Sequence, residues 1–380
     1  MTYGYFDWAA TALPEKDILL QSAEKAYTIY GNPSSIHTPG KKARELIEEC
    51  RIRCAEALGC PGNNVFFTGG GTEANNLAVL SLLQRPRKGH IITSMVEHPS
   101  VYGPVSYLTG QGFTVTEIPA ETSGIIDPDV LGDAVGDDTF FAAVMGVNNE
   151  TGAVQPVKEI GEILRHSGKR KIHLHCDAVQ AAGKTGLAEI LAAADTVTVS
   201  AHKLGGPRGA GILVSKQKLD PVLTGGGQER GIRPGTENLQ GIYGMTLALE
   251  KALREQKENR IHTETIEKQL ISGIREIEGS RMLPKDRQAG DPRYSPYIIT
   301  AAFPPVPGEV LLRVLNDEGF QVSTGSACSS RKRDYRVLRG SGADDQTAGS
   351  AIRVSTGPGS SPEETAAFLS ALKHAVETLR

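Results

Sequence analysis

Five short stretches of this chain place glycine, histidine, amide, carboxylate and lysine where they could serve one reaction. The first, Thr68-Gly69-Gly70-Gly71-Thr72-Glu73-Ala74, leaves an apolar run and opens a helical one. Glycines at such a corner let backbone N–H groups approach an anion, and a helix start adds partial positive charge. The same letters fit an ordinary turn, and Gly69-x-Gly71-x-x-Ala74 with Glu97 downstream also fits a dinucleotide fingerprint. Glu97-His98-Pro99 supplies a titratable ring or a capping histidine, and Val147-Asn148-Asn149-Glu150 supplies Asn149 as a neutral donor or as part of a turn. His175-Cys176-Asp177-Ala178-Val179-Gln180 carries a carboxylate able to face a cationic ring nitrogen or to cap a helix. The fifth, Ser200-Ala201-His202-Lys203-Leu204-Gly205-Gly206, ends a β-branched run on a lysine walled by glycines. Desolvation at such a place lowers an amine's pKa, which a Schiff-base lysine requires.

These groups need elements to carry them. Apolar β-rich runs predict strands at Asn64–Thr68, His90–Met95, Phe140–Val147, Lys171–Cys176, Thr196–Ser200 and Gly211–Ser215. Helical periodicity covers Lys41–Leu58, Thr72–Gln84, Val157–Ser167 and one long stretch from Glu237 to about Ile277, which reads as a connector between domains. Strands Tyr297–Phe303, Phe320–Thr324 and Ala351–Ser355, a helix Gly308–Glu318 and a final helix opened by Ser361-Pro362-Glu363-Glu364 follow. Alternation of this kind predicts an α/β fold with a mainly parallel central sheet, helices on both faces and a smaller α+β domain. Ligands of such sheets bind outside the carboxyl ends of the strands, where all five stretches fall.

Composition narrows the partner. Of 380 residues 39% are apolar and 22% charged, with a net charge of −3, which argues against nucleic acid or an anionic membrane as the main partner. No apolar run approaches the ~18 residues of a membrane span, and the start resembles no leader, so a cytoplasmic protein is expected. The five cysteines form no CxxC pair, so neither a disulfide framework nor a metal site is indicated, and Cys50 and Cys54 read as buried apolar thiols. Glycine is in excess, 43 residues or about 11% against a usual ~7%, and Gly69–Gly71, Gly205 and Gly206 stand at the strand ends just described.

A ring that needs a phosphate cradle, a stacking partner, a donor to a phenolic oxygen, a carboxylate for its nitrogen and an amine for its aldehyde would use all five stretches. That ring is pyridoxal 5'-phosphate. A nicotinamide dinucleotide, the rival guest, has no clear use for both Asp177 and Lys203.

Together these residues resemble the cysteine desulfurases of the class V aminotransferase superfamily, fold-type I pyridoxal phosphate-dependent transferases, in their nitrogenase and iron-sulfur-cluster-type group. The resemblance runs through Tyr5–Thr11, Gly31–His37, the five strand ends, Arg233-Pro234-Gly235-Thr236-Glu237-Asn238, Gly325-Ser326-Ala327-Cys328 and Ile352–Ser355. It implies that Lys203 forms the Schiff base, that His98 stacks on the ring and shuttles protons, and that Asp177 pairs with the ring nitrogen. Asn149 and Gln180 would address the phenolic oxygen. Gly71, Thr72, Ser200 and His202 would hold the phosphate, with Thr236 lent by the other subunit of a homodimer. Arg353 would clamp the carboxylate of L-cysteine, with Asn32 nearby, and Cys328 would take the sulfur as a persulfide for an acceptor protein in iron-sulfur cluster assembly or other thio-cofactor synthesis. Independently, Cys328 lies ahead of Arg331-Lys332-Arg333, and such cations lower a thiol's pKa. The implied domains are 13–256 for the cofactor, and 1–12 with 257–380 as a small domain carrying the cysteine loop, about 325–342. The polar stretch Ser329–Gly342 is expected to be mobile.

The chain departs from the family in Ala10-Thr11-Ala12, where Ala-Thr-Thr is usual, in the basic run after Cys328, and in ending at Arg380 just past its last helix. These departures leave the acceptor open. Rivals are a selenocysteine lyase or class V aminotransferase, the dehydrogenase, and a non-catalytic sulfur-relay protein.

Overall fold

The computed structural model describes residues 4–167, 171–324 and 335–380. Its strands are β1 Gly4–Tyr5, β2 Val65–Thr68, β3 His90–Ser94, β4 Thr114–Ile118, β5 Thr139–Ala143, β6 His173–Asp177, β7 Thr196–Ser200, β8 Gly211–Ser215, β9 Arg281–Leu283, β10 Ile298–Ala302, β11 Phe320–Gln321 and β12 Ala351–Ser355. Seven of them form one sheet in the order β2-β8-β7-β6-β5-β3-β4. β8 runs antiparallel to both neighbours, and the pairs from β7 across to β4 are parallel. Every residue of β2, β5, β7 and β8 is buried, which is why each reads as a continuous apolar or β-branched run. The edge strand β4 escapes that pattern because only Ile118 of its five residues is buried.

Two apolar cores organise the molecule. The larger packs Leu46, Ile47, Cys50 and Cys54 against the sheet and against Ile242, Met245 and Leu249. Burial pushes the Cys50 and Cys54 thiols up to about 11 and about 12, so they are inert packing groups. The smaller core gathers Phe6, Ile266, Leu270, Ile274, Phe320 and Phe368 around the antiparallel sheet β12-β10-β9.

The stretch expected as one helix from Glu237 to Ile277 is two, Leu239–Arg254 and Gln256–Arg275, meeting at Glu255. The first turns its apolar stripe to the larger core and the second to the smaller, and the chain breaks where the stripe changes core. A second correction concerns the stretch expected to be mobile up to Gly342. Arg336–Gly340 is a short helix with Val337 and Leu338 buried, because its apolar pair seats against the protein. The final helix Pro362–Leu379 has the expected reciprocal cap between Ser361 and Glu364. Among the described residues no helix is long and apolar enough to cross a membrane.

The smaller core also braces the exit of β5. Arg287, fully buried and paired with Glu267 at 3.0 Å, donates to Thr151 O at 2.9 Å, while Thr300 Oγ1 donates to Glu150 O at 2.6 Å.

Candidate active site

The glycine corner after β2 is built for close approach. Gly70 has φ +143°, a conformation that favours glycine, and a Cβ on Gly211 would lie 2.8 Å from its backbone. The helix Gly71–Leu80 starts there, pressed on the ends of β6 and β7: a Cβ on Gly71 would meet Val179 Cγ2 at 3.0 Å and Ser200 Cβ at 3.6 Å. The first N–H groups of a helix have no carbonyl of their own helix to bond. Ser200 is buried beside them, and Thr72 stands exposed at the rim. His202 follows on the turn Ala201–Lys203, its Nδ1 3.2 Å from Thr11 Oγ1. Burial, helped by Lys203 and other cations, pushes His202 down to about 4, so its imidazole is neutral at ordinary pH. Backbone N–H groups, a buried hydroxyl and a neutral imidazole around space that a side chain would fill make a donor set that fits a phosphate.

Along β6 the site turns acidic. Asp177, 5% exposed, receives Asn75 Nδ2 on Oδ2 at 2.7 Å and Val179 N on Oδ1 at 3.0 Å. Asn75, wholly buried, donates through the same nitrogen to Ser100 Oγ at 2.8 Å, and its Oδ1 lies 3.1 Å from His175 Nε2. Burial pushes His175 down to about 3, so it is a neutral ring that gives its Nε2 proton to Asn75. Ser100 N donates to His98 Nδ1 at 3.1 Å, and Ser100 Oγ lies 2.7 Å from the same atom. An accepting Nδ1 puts the ring proton of neutral His98 on Nε2. Burial lowers the His98 pKa; Asp177 opposes that shift and Lys203 adds to it, so the ring lies within the influence of both. A buried carboxylate fixed by an amide, next to an oriented histidine, fits a pyridine nitrogen in its charged form.

Cations gather against the N-terminal segment. Lys203 Nζ donates to Ala9 O at 2.5 Å and Ala10 O at 2.8 Å, backbone of the N-terminal segment. Gln180 Nε2 donates to the same Ala9 O at 2.8 Å. Arg353, 3% exposed on β12, donates to Asp7 Oδ1 at 2.8 Å and to the backbone oxygen of Asn149 at 2.9 Å. The turn that carries Asn149 is held by its neighbour Asn148, whose Oδ1 accepts from Glu150 N, Thr151 N and Thr151 Oγ1.

Three expected residues are not joined to this group. Asn32 is exposed and caps Ser34 N through Oδ1 at 2.9 Å, with no hydrogen bond to Arg353. Thr236 is exposed and no hydrogen bond links it to Thr72, Ser200 or His202. Cys328 and the basic run after it lie outside the described residues. Glu97, the acid of the dinucleotide alternative, is 1% exposed and accepts from Ser94 Oγ and Met145 N; burial raises its pKa to about 7. A carboxyl turned into the core has no access to a ribose, and the dinucleotide alternative loses its acid. Sequence reasoning passed over Asn75 and Lys184, whose only signals were a polar residue inside an apolar helix face and a lysine one turn after Gln180.

A family model described as Aminotransferase class-V matches residues 4–368. The cysteine desulfurase IscS of Methanosarcina thermophila is 36% identical across 99% of this chain and 92% of its own length. A NifS/IcsS protein homolog of Lactobacillus delbrueckii subsp. bulgaricus is 37% identical across 97% of this chain and 95% of its own. Among solved structures, a NifS-like protein superposes with a TM-score of 0.91 at 32% identity, covering 100% of both chains. SspA in complex with cysteine superposes at 0.77 and 29% identity, covering 93% of this chain and 99% of that one.

Proposed function

The chain belongs to the class V aminotransferase family and is a pyridoxal phosphate-dependent cysteine desulfurase of the IscS/NifS kind, and on that premise we propose that it delivers the sulfur of L-cysteine as a persulfide on Cys328, leaving L-alanine. The observation that carries this reading of the site is the buried Asp177 carboxylate, clamped by Asn75, with His98 under the electrostatic influence of both Asp177 and Lys203. The solved complex of SspA with cysteine supports the choice of substrate.

Bound pyridoxal phosphate supplies an electron-withdrawing ring next to the substrate's α-carbon. Gly71, Thr72, Ser200 and His202 would hold its phosphate, Asp177 would keep its nitrogen charged, and Gln180 with Asn149 would address its phenolic oxygen. Lys203 Nζ would be the point of attachment and a base for the α-proton; His98, within the electrostatic reach of Lys203, holds a proton at Nε2. Arg353 commits one N–H to Asp7 and one to the Asn149 carbonyl, while among the described residues its buried Nε has no partner. N–H groups are therefore left for the substrate carboxylate, which guanidinium binds in bidentate fashion. The Cys328 thiolate attacks the substrate sulfur: the S–S bond forms as the Cβ–S bond breaks, and the electron pair of that bond stays with carbon, to be protonated as alanine.

A homodimer completes the site in this reading, with Thr236 of one subunit reaching the phosphate of the other. Its support is that Thr236 is exposed and that Tyr27, Tyr30 and Ile36 are 85%, 78% and 86% exposed, more apolar ring and chain than a solvated surface needs. Two separate cores support the domain division at 12/13 and 256/257, and four free thiols among the described residues agree with a cytoplasmic setting. A sulfur acceptor protein is the remaining partner. The test is cysteine-dependent alanine release: Cys328→Ala should lose it while keeping bound cofactor. Full activity in that variant, or turnover of selenocysteine alone, would overturn the assignment.

A further inference from the structure

We propose that Lys184 is a positioning residue that sets the amide of Gln180 for the cofactor ring. The inference rests on the cofactor site proposed above. Gln180 is 4% exposed and held at both ends: Lys184 Nζ lies 3.0 Å from Oε1, and Nε2 donates to Ala9 O at 2.8 Å. An ammonium has donors only, so it faces the amide oxygen, and a carbonyl only accepts, so it faces the amide nitrogen. The two contacts together allow one orientation, with one Nε2–H on Ala9 O and the other left for a ring oxygen. Ala9 O also receives Lys203, so a continuous line runs Lys184, Gln180, Ala9 O, Lys203.

Nothing else explains an amine at this place. Among the described residues no carboxylate pairs with Lys184, the charges felt there are the cations Lys203 and Arg353, and its Nζ stands 5.8 Å from the centroid of the Tyr297 ring. Burial and those cations lower its pKa to about 7. An apolar side chain of similar length would fill the space without that cost. What it would lack is the donor to Gln180.

The test is a double-mutant cycle with Lys184→Met and Gln180→Ala, read as the dissociation constant for pyridoxal phosphate of the reconstituted apoprotein and as the ratio of its visible to near-ultraviolet bands. Lys184→Met should weaken binding about tenfold, the worth of one charge-assisted hydrogen bond, and reduce the visible band. In the Gln180→Ala background the same change should do nothing further. Equal losses in both backgrounds would show a merely structural lysine, and no loss in either would also overturn the proposal. Lys184→Leu runs the same cycle if the methionine variant does not fold. A wild-type chain that takes up no pyridoxal phosphate would overturn the underlying site reading, and this inference with it.

Discussion

The two walls of the site are built in opposite ways. On the Asp177 wall, Asn75 gives its N–H groups to Asp177 and Ser100 and takes a proton donor from His175, so the line out to His98 is closed on itself. On the Lys203 wall, the cations Lys184, Lys203 and Arg353 stand with the neutral ring of His202 and meet backbone carbonyls, an amide and the Asp7 carboxylate. The depressed pKa values of Lys184 and His202 express that crowding. The acidic wall is finished by the fold, whereas the basic wall is short of anions, and a phosphate and a substrate carboxylate are anions.

The largest effect should come from the basic wall. Lys203→Ala should remove the visible Schiff-base absorbance and cut alanine release by a factor on the order of 10³ or more; an unchanged spectrum would refute the cofactor lysine. Stability should respond in the reverse order. Asn75→Ala strands Asp177, Ser100 and His175 and should cost the apoprotein about 1–3 kcal/mol for each buried partner it leaves unsatisfied, measured by denaturant unfolding. Lys184→Met, which removes a charge from a crowd, should cost the same apoprotein less than about 1 kcal/mol; a larger loss would mean the walls do not differ as described.

Acid should separate the walls further. In the fold His175 is held at about 3 and His202 at about 4, below the ordinary 6.5, so as pH falls from 6.5 the unfolded chain binds these protons first. Their contribution to stability is complete above 6.5 and is lost on the way down to the folded values, by up to about 1.4 kcal/mol per pH unit for each histidine, and less for the partly exposed His202. Inorganic phosphate should relieve the share due to His202 and leave that of His175 unchanged, which urea titrations of the His202→Asn variant and the wild type would show. The smallest effect belongs to neither wall. Ser361→Ala removes the cap of the last helix and should cost about 1 kcal/mol while leaving the spectrum and alanine release as they were.

Much of this was legible because buried parallel strands advertise themselves. The run ending at Ser200 alternates threonine with valine and the one ending at Asp177 keeps Ile172, Leu174 and Cys176 at alternate positions, so the polar residues at their ends mark the sheet edge. Asn75 was not legible, since its partner Asp177 is 102 positions away and a polar residue in a helix has no sign of what it meets. Glu97 illustrates the same limit from the other side: its spacing suited a ribose, and burial against Met145 N decided otherwise. The break at Glu255 was hidden because helical periodicity continues across it while the core it serves changes.

By itself the sequence determined which side chains stand at the strand ends and therefore what chemistry is available, since strand periodicity and glycine corners are local properties of the chain. Only the tertiary structure decided which of those groups face one another, which amide is turned which way and which rings are neutral. Orientation and protonation depend on burial and on the neighbour across the site, and here that neighbour comes from a distant part of the chain.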